Sequence, residues 1–288
     1  MKLHKAGLIK PPGFVHSNVM YETIMGSFAY GVSGDASDMD IYGFCVPSRN
    51  VVFPHLGGQI DGFGRQQQRF DQFQAHHIKW KGKEYDLTIY SIVRFFSLCM
   101  ENNPNMIDSL FTPDNCVLFS TQVGQMVREN RHLFLHKGSW HKFKGYAYSQ
   151  LHKMGRRNAE GKRKQLIEEF GFDVKFAYHV VRLLDEAEQI LTLGDIDLQR
   201  NREQLKAIRR GEMTEREIRD WATAKEKQLE LAYSQSKLRH SPDENKIKQL
   251  LLDCLEHHYG NLEGCIVDEG RAVRALKNIQ EIVENALR

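Results

Sequence analysis

The spacing of apolar residues changes character near residue 125. Before it, hydrophobic positions alternate in short runs broken by Gly and Pro, the mark of strands and turns. Asn18–Met25 reads as a strand entering a Gly-Ser turn, with Ser27–Val32 opening a short helix. Asp38–Val46 reads as the next strand, Pro47–Asn50 as a turn and Val51–Phe53 as a short extended piece. Gly57–Gln74, rich in Gly and Gln and poor in aliphatics, reads as a mobile loop. Tyr85–Tyr90 alternates like a strand. Ser91 then starts a helical pattern (Ile92, Phe95, Phe96, Cys99) that ends before Pro104.

From about Thr121 the period is helical almost throughout. Asp173–Leu193 keeps it and stops at Gly194. Thr214-Glu-Arg-Glu217 has the form of a capping box and opens a long charged helix to about Leu238. Ser241-Pro-Asp-Glu244 has the same form, with proline at the first helical position, and its helix should stop at Gly260. Glu269–Leu287 gives a last helix. The expectation is an α+β protein: a small mixed-sheet catalytic domain over 1–125, then a helical substrate- and nucleotide-binding domain over 126–288.

Composition narrows this only a little. The 288 residues are 41% hydrophobic and 27% charged, as in ordinary globular proteins. No apolar run approaches the length that spans a bilayer. Met1–Lys10 is basic but lacks an apolar stretch and a cleavage site, so no signal peptide and a cytoplasmic location are expected. Five scattered cysteines without a CxxC pair argue for a reducing compartment and against a zinc site. The formal charge of +3 is small, so local charge carries more information than the total.

The candidate chemistry begins at Asp38-Met39-Asp40. Two carboxylates one residue apart on a strand face the same way and repel unless a cation sits between them. Mg²⁺, a hard cation that takes carboxylate and phosphate oxygens, fits that place. Gly26-Ser27 upstream supplies the complement: glycine admits close backbone approach to a phosphate, and the hydroxyl and nearby N–H groups can bond its oxygens. The pair reads as a site for metal-assisted attack on an NTP α-phosphate. Such chemistry needs a third carboxylate on a neighbouring strand. Asp86, in Lys83-Glu-Tyr-Asp-Leu-Thr-Ile-Tyr90, is the candidate, with Glu84 on the same face as its substitute. Asp35, in Ser33-Gly-Asp-Ala, reads as a turn residue rather than a ligand.

Gly26-Ser-Phe-Ala-Tyr-Gly31 followed by Ser37-Asp-Met-Asp-Ile-Tyr-Gly43 resembles the DNA polymerase β-type nucleotidyltransferase superfamily. More narrowly, it is similar to the bacterial and phage predicted nucleotidyltransferases, some of them proposed as RNA-ligase-associated repair polymerases. The likeness continues through Tyr90-Ser91, Asn103-Pro-Asn105 and Leu110-Phe111. It resumes at Lys175-Phe-Ala-Tyr-His179, Arg182-Leu-Leu184 and Leu205–Gly211, covering most of residues 20–212. The resemblance implies Mg²⁺ (or Mn²⁺) and an NTP, Gly26 and Ser27 on phosphate, Asp38, Asp40 and Asp86 on metal, and an association with an RNA ligase pathway. It gives the loop 57–74 and Thr88 no role and does not extend over the last 75 or so residues.

Lys175, His179 and Arg182 stand at i, i+4 and i+7, one face of a helix, and suit a triphosphate; the competing reading is a solvated helix face with a structural histidine. Lys137–Lys164 holds nine Lys/Arg and one acid, Glu160, interleaved with Trp140, Phe143, Tyr146 and Tyr148. Cations with aromatic faces suit single-stranded nucleic acid, so Lys153, Arg156 and Arg157 are candidate RNA contacts. Core aromatics with solvated lysines would give the same pattern. The expected function is nucleotide addition to an RNA or tRNA 3′ end without a template. The alternatives are transfer to a protein or small-molecule hydroxyl, and an RNA-binding module with a vestigial site.

Overall fold

A computed structural model describes residues 2–34, 37–58, 69–155 and 161–262, together with 265, 276, 279, 282 and 283. Asp35, most of the 57–74 segment, Arg156, Arg157, Glu160 and most of the expected last helix lie outside the described residues. Two short helices, α1 (Lys2–Lys5) and α2 (Gly13–Ser17), precede strand β1 (Val19–Ile24) and strand β2 (Met39–Cys45). A single helical turn, α3 (Arg49–Val52), leads toward strand β3 (Gln72–Trp80) and strand β4 (Lys83–Ser91). Helices α4 (Ile92–Met100) and α5 (Pro104–Phe111) and the short strand β5 (Val117–Ser120) follow. The rest is helical: α6 (Gln122–Glu129), α7 (Ser139–Met154), α8 (Lys162–Phe170), α9 (Val174–Leu193), α10 (Arg202–Arg209), α11 (Glu215–Gln235) and α12 (Glu244–Tyr259).

The strands form one mixed sheet in the order β3-β4-β2-β1-β5. Only β2 and β4 run parallel, and their register sets Asp40 opposite Asp86 and Tyr42 opposite Thr88. Because side chains alternate along a strand, Asp40, Tyr42 and Phe44 share a face with Asp86, Thr88 and Tyr90. Ile41, Cys45, Leu87 and Ile89 point the other way, into a small core with Leu3, Ile9 and Val15. Gly43 permits the tight β1–β2 pairing: a Cβ there would lie 2.1 Å from the Tyr21 carbonyl oxygen.

The larger core covers the carboxylate-bearing face and runs from Met20 to Cys265. Its axis is α9, with α7, α10 and α11 packed around it. Asp173 caps α9, its carboxylate accepting the Lys175 and Phe176 N–H groups, and Gly194 closes the helix in the left-handed conformation. The boundary expected at residue 125 falls inside α6, whose Val123 and Val127 belong to this continuous core.

Several expected elements differ. Residues 27–31 form an irregular turn, not a helix: Tyr30 and Gly31 bond back to Gly26 and Phe28, and Gly26 and Gly31 both have positive φ. Arg49–Val52 is helical where an extended piece was expected. The cap of α12 is Asp243, whose carboxylate accepts the Lys246 N–H, rather than Ser241. The Thr214 capping box forms as expected. All five cysteines are free and buried. Among the described residues, no helix is long and apolar enough to cross a membrane.

Candidate active site

The carboxylates gather where β2 and β4 begin. Asp40 sits in the second position of β2, Asp38 just ahead of the strand, and Asp86 beside Asp40 across the parallel ladder. The chain leaving β1 closes against them, with the Met25 N–H donating to the Asp40 carbonyl oxygen at 2.7 Å. Gly26 follows at φ +64°, and a Cβ there would lie 2.3 Å from Asp40 Oδ2. Glycine at 26 is therefore required twice, by conformation and by space. Ser27 is half-buried in the same turn, next in sequence to Gly26.

Burial first, then repulsion from Asp86 and Asp38, raises the Asp40 carboxyl above the usual carboxylate range, with Lys175 opposing. That set of causes places all four groups within electrostatic reach of one another. Asp86 is oriented from the edge strand: its Oδ1 accepts the His77 backbone N–H at 2.8 Å, and His76 Nδ1 lies 3.5 Å away. The pairing of β3 with β4 slips between Ala75 and Ile78, so His76 and His77 both oppose Asp86. His77 has φ +56°, unusual for a non-glycine residue. Glu84, the substitute considered for Asp86, binds His77 Nδ1 at 2.5 Å.

The helical half holds the Gly26–Val32 turn in place. Gln199 Nε2 donates to the Ala29 carbonyl at 3.2 Å, and Arg209 donates to the Val32 carbonyl. The Tyr30 hydroxyl donates to Asp108 Oδ2 at 2.8 Å, and the Arg182 guanidinium lies 4.3 Å from the Tyr30 ring centroid.

The expected face of Lys175, His179 and Arg182 is split by burial. Lys175 is exposed beside the acids, and His179 is half-buried. Burial first, then Arg182, Lys175, Arg163 and Arg209, holds the His179 imidazole well below its usual range, so it is neutral at pH 7. Arg182 is only 5% exposed and is paired with Asp108 and, at 2.9 Å, with Glu186. Arg182 keeps to the face of His179 but is enclosed and paired, because α9 is buried on most of its circumference. Arg163 and Arg209 join the cationic set instead. Arg163 binds Asp173 at 2.8 Å and stacks 4.0 Å from Phe176.

The basic aromatic stretch also divides. Trp140 and Phe143 are core residues. Lys144 is paired with Glu226 at 2.7 Å and Glu230 at 2.8 Å, and the Tyr148 hydroxyl donates to Glu226. Tyr146 stays exposed. Lys153 is exposed at the end of α7, 5.9 Å from the Phe176 ring.

A glycine-bearing turn closed onto paired strand carboxylates, with a cationic helix start opposite, offers oxygen ligands for a cation beside bare backbone and positive charge for phosphates. The chain matches the RNA repair pathway DNA polymerase beta family over residues 13–253, and it belongs to that family. It is a nucleotidyltransferase of the polymerase β type. Among solved structures, a nucleotidyltransferase-like protein from Exiguobacterium sibiricum is similar at 12% identity with a TM-score of 0.28, the alignment covering 83% of this chain and 68% of that one. No curated protein matches.

Proposed function

We propose that the protein transfers a nucleoside monophosphate from an NTP to the 3′-hydroxyl of an RNA, with Mg²⁺ (or Mn²⁺) as the cofactor. The observation that carries this is the register pairing of Asp40 with Asp86 beside the Gly26-Ser27 turn.

The donor set suits a hard cation. Asp38, Asp40 and Asp86 offer only carboxylate oxygens, and Asp40 is raised first by burial and then by the neighbouring acids, so a bound cation would relieve both. Among the described residues, no three His, Cys, Asp or Glu side chains close into a ready-made cation cage. Mg²⁺ needs none: it is bound by one or two carboxylates together with substrate phosphates. Asp40 and Asp86 would hold it, with Asp38 beside them. When bound, it stabilises charge on the transferring phosphoryl group and acidifies the attacking hydroxyl.

The chain's own groups do the rest. Ser27 and the turn N–H groups bind the triphosphate against the bare backbone of Gly26. Lys175, with Arg163 and Arg209 behind it around neutral His179, balances the β- and γ-phosphate charge. Asp86, fixed by the His77 N–H, receives the 3′-hydroxyl proton. The 3′ oxygen then bonds to the α-phosphorus as the bridge to the β-phosphate breaks, and pyrophosphate leaves. Arg182 is assigned to holding Tyr30 and hence the turn, one step removed from the nucleotide.

Incubation with each labelled NTP, Mg²⁺ and a short single-stranded RNA or deacylated tRNA, resolved on a denaturing gel, tests this. RNA lengthened by one or more nucleotides is expected. Label on protein with RNA unchanged would overturn the acceptor.

A further inference from the structure

The opposite face of the sheet carries an opening that this reaction does not use. A cavity of about 730 Å³ lies over Met39, Ile41 and Leu87, bounded by Trp80, Tyr85 and Phe119. We propose that this groove binds the single-stranded RNA acceptor upstream of its reacting end; the proposal rests on the acceptor being RNA.

Position is the first argument. Met39 stands between Asp38 and Asp40 in the chain, and Tyr85 precedes Asp86. The groove therefore backs directly onto the carboxylates, one sheet thickness away, within reach of a strand whose end lies at the acids. The β3–β4 hairpin joins the two faces: Trp80 and Lys81 line the groove, while Lys83 lies 5.2 Å from the ring of Phe28 in the turn at the site.

Charge is the second. Lys2, Lys5, Lys81 and His16 line the groove against a single acid, Glu22. This fits a polyanion threaded past an apolar floor.

The aromatic surface is the third. Trp80 and Tyr85 lie 5.9 Å apart, Lys81 sits 4.7 Å from the Trp80 ring, and Phe119 is 46% exposed with Leu118 beside it. Trp80 and Tyr85 are half-buried against the small core and only Phe119 is an exposed ring, but rings that reach a groove beside lysines can stack on bases while the cations meet phosphates. The cavity also has the size of sites that enclose ligands as large as a nucleoside. The stretch that looked most RNA-like in sequence offers less, since its Trp140 and Phe143 are buried and Lys144 is neutralised.

The test is fluorescence anisotropy of a labelled short single-stranded RNA titrated with the full chain across a range of salt. Trp80→Ala is expected to weaken binding roughly tenfold, the usual effect of losing one base stack. Lys81→Ala, an exposed substitution that removes one cation and its contact with the Trp80 ring, is expected to lower the slope of log affinity against log salt by about 0.7. Unchanged affinity and slope in both variants would overturn the groove assignment. So would a change in oligomeric mass in Trp80→Ala with RNA affinity intact, which would make the groove a protein interface. RNA that binds with this dependence but is never extended by any NTP would sustain the groove and overturn the proposed reaction. RNA extended by both variants at unchanged affinity would do the reverse.

Discussion

Asp40→Asn separates the metal assignment from the fold. In the wild type, burial and the neighbouring acids make ionised Asp40 costly, and Lys175 offsets only part of this. Adjacent strands are about 4.8 Å apart, so charges on Asp40 and Asp86 are separated by roughly 5–7 Å. At an effective dielectric of about 20–40 the repulsion is about 1–3 kcal/mol. Asp86 is 34% exposed, so solvent reduces the usable figure to about 1 kcal/mol. For a chain of this size that corresponds to a Tm higher by about 2 °C in the variant, measured by thermal unfolding in chelator. The sign follows from linkage. Asp40 has a raised folded-state pKa, so its stabilising contribution is complete below the ordinary carboxylate range and is lost as pH rises through the raised value. The advantage of the variant should therefore be absent in acid and full at neutral pH. Added Mg²⁺ should stabilise the wild type and leave the variant unmoved, while nucleotide transfer disappears. A variant less stable than wild type in chelator at neutral pH, or an equal Mg²⁺ response in both, would refute the argument.

Gly26→Ala should abolish transfer and lower Tm: positive φ costs about 1–2 kcal/mol and the new Cβ displaces the Asp40 carboxylate, both visible by activity assay and thermal unfolding. Arg182→Ala leaves Asp108 and Glu186 buried without their cation, and urea unfolding should show a loss of roughly 3–5 kcal/mol; a fold of normal stability with only a raised KM for NTP would return Arg182 to the nucleotide. Lys175→Ala should raise the KM for NTP and leave that for RNA unchanged in steady-state kinetics, because Lys175 is exposed and its loss opens no cavity. Thr214→Ala should cost about 1 kcal/mol by urea unfolding through loss of the helix cap, with transfer unchanged.

Much of the edge that carries the acids was legible because it depends on local rules. The alternation in Asp38–Val46 puts Asp38 and Asp40 on one face, that in Lys83–Tyr90 puts Glu84 and Asp86 on one face, and Gly26 announces a turn. Pairing itself is non-local, so the parallel β2–β4 register could not be read. Strand β3 was missed although it left a trace. Phe73 and Ala75 alternate, then Ile78 and Trp80 resume the pattern out of phase, and that break is the bulge whose His77 N–H holds Asp86. The burial of Arg182 was hidden for another reason. Helical spacing shows which residues share a face but not how many neighbours the helix has, and α9 is enclosed by α7, α10 and α11. The pairing of Lys144 on α7 is hidden in the same way, because its acids lie on α11, some eighty residues later.

The ion pair between Asp108 on α5 and Arg182 on α9 has a consequence for biosynthesis. The N-terminal half contains every proposed metal ligand, yet its Asp108 and Tyr30 are buried around a guanidinium that the ribosome delivers only with α9. Until then a nascent chain holding the sheet and α5 must leave that carboxylate solvated or protonated, and the Gly26–Val32 turn lacks its Gln199 and Arg209 tethers as well. Chains generally fold N-terminal part first during synthesis; here the sheet would wait, incompletely closed, for the centre of the helical half. Premature termination before α9 would therefore release an unstable fragment rather than an unregulated enzyme.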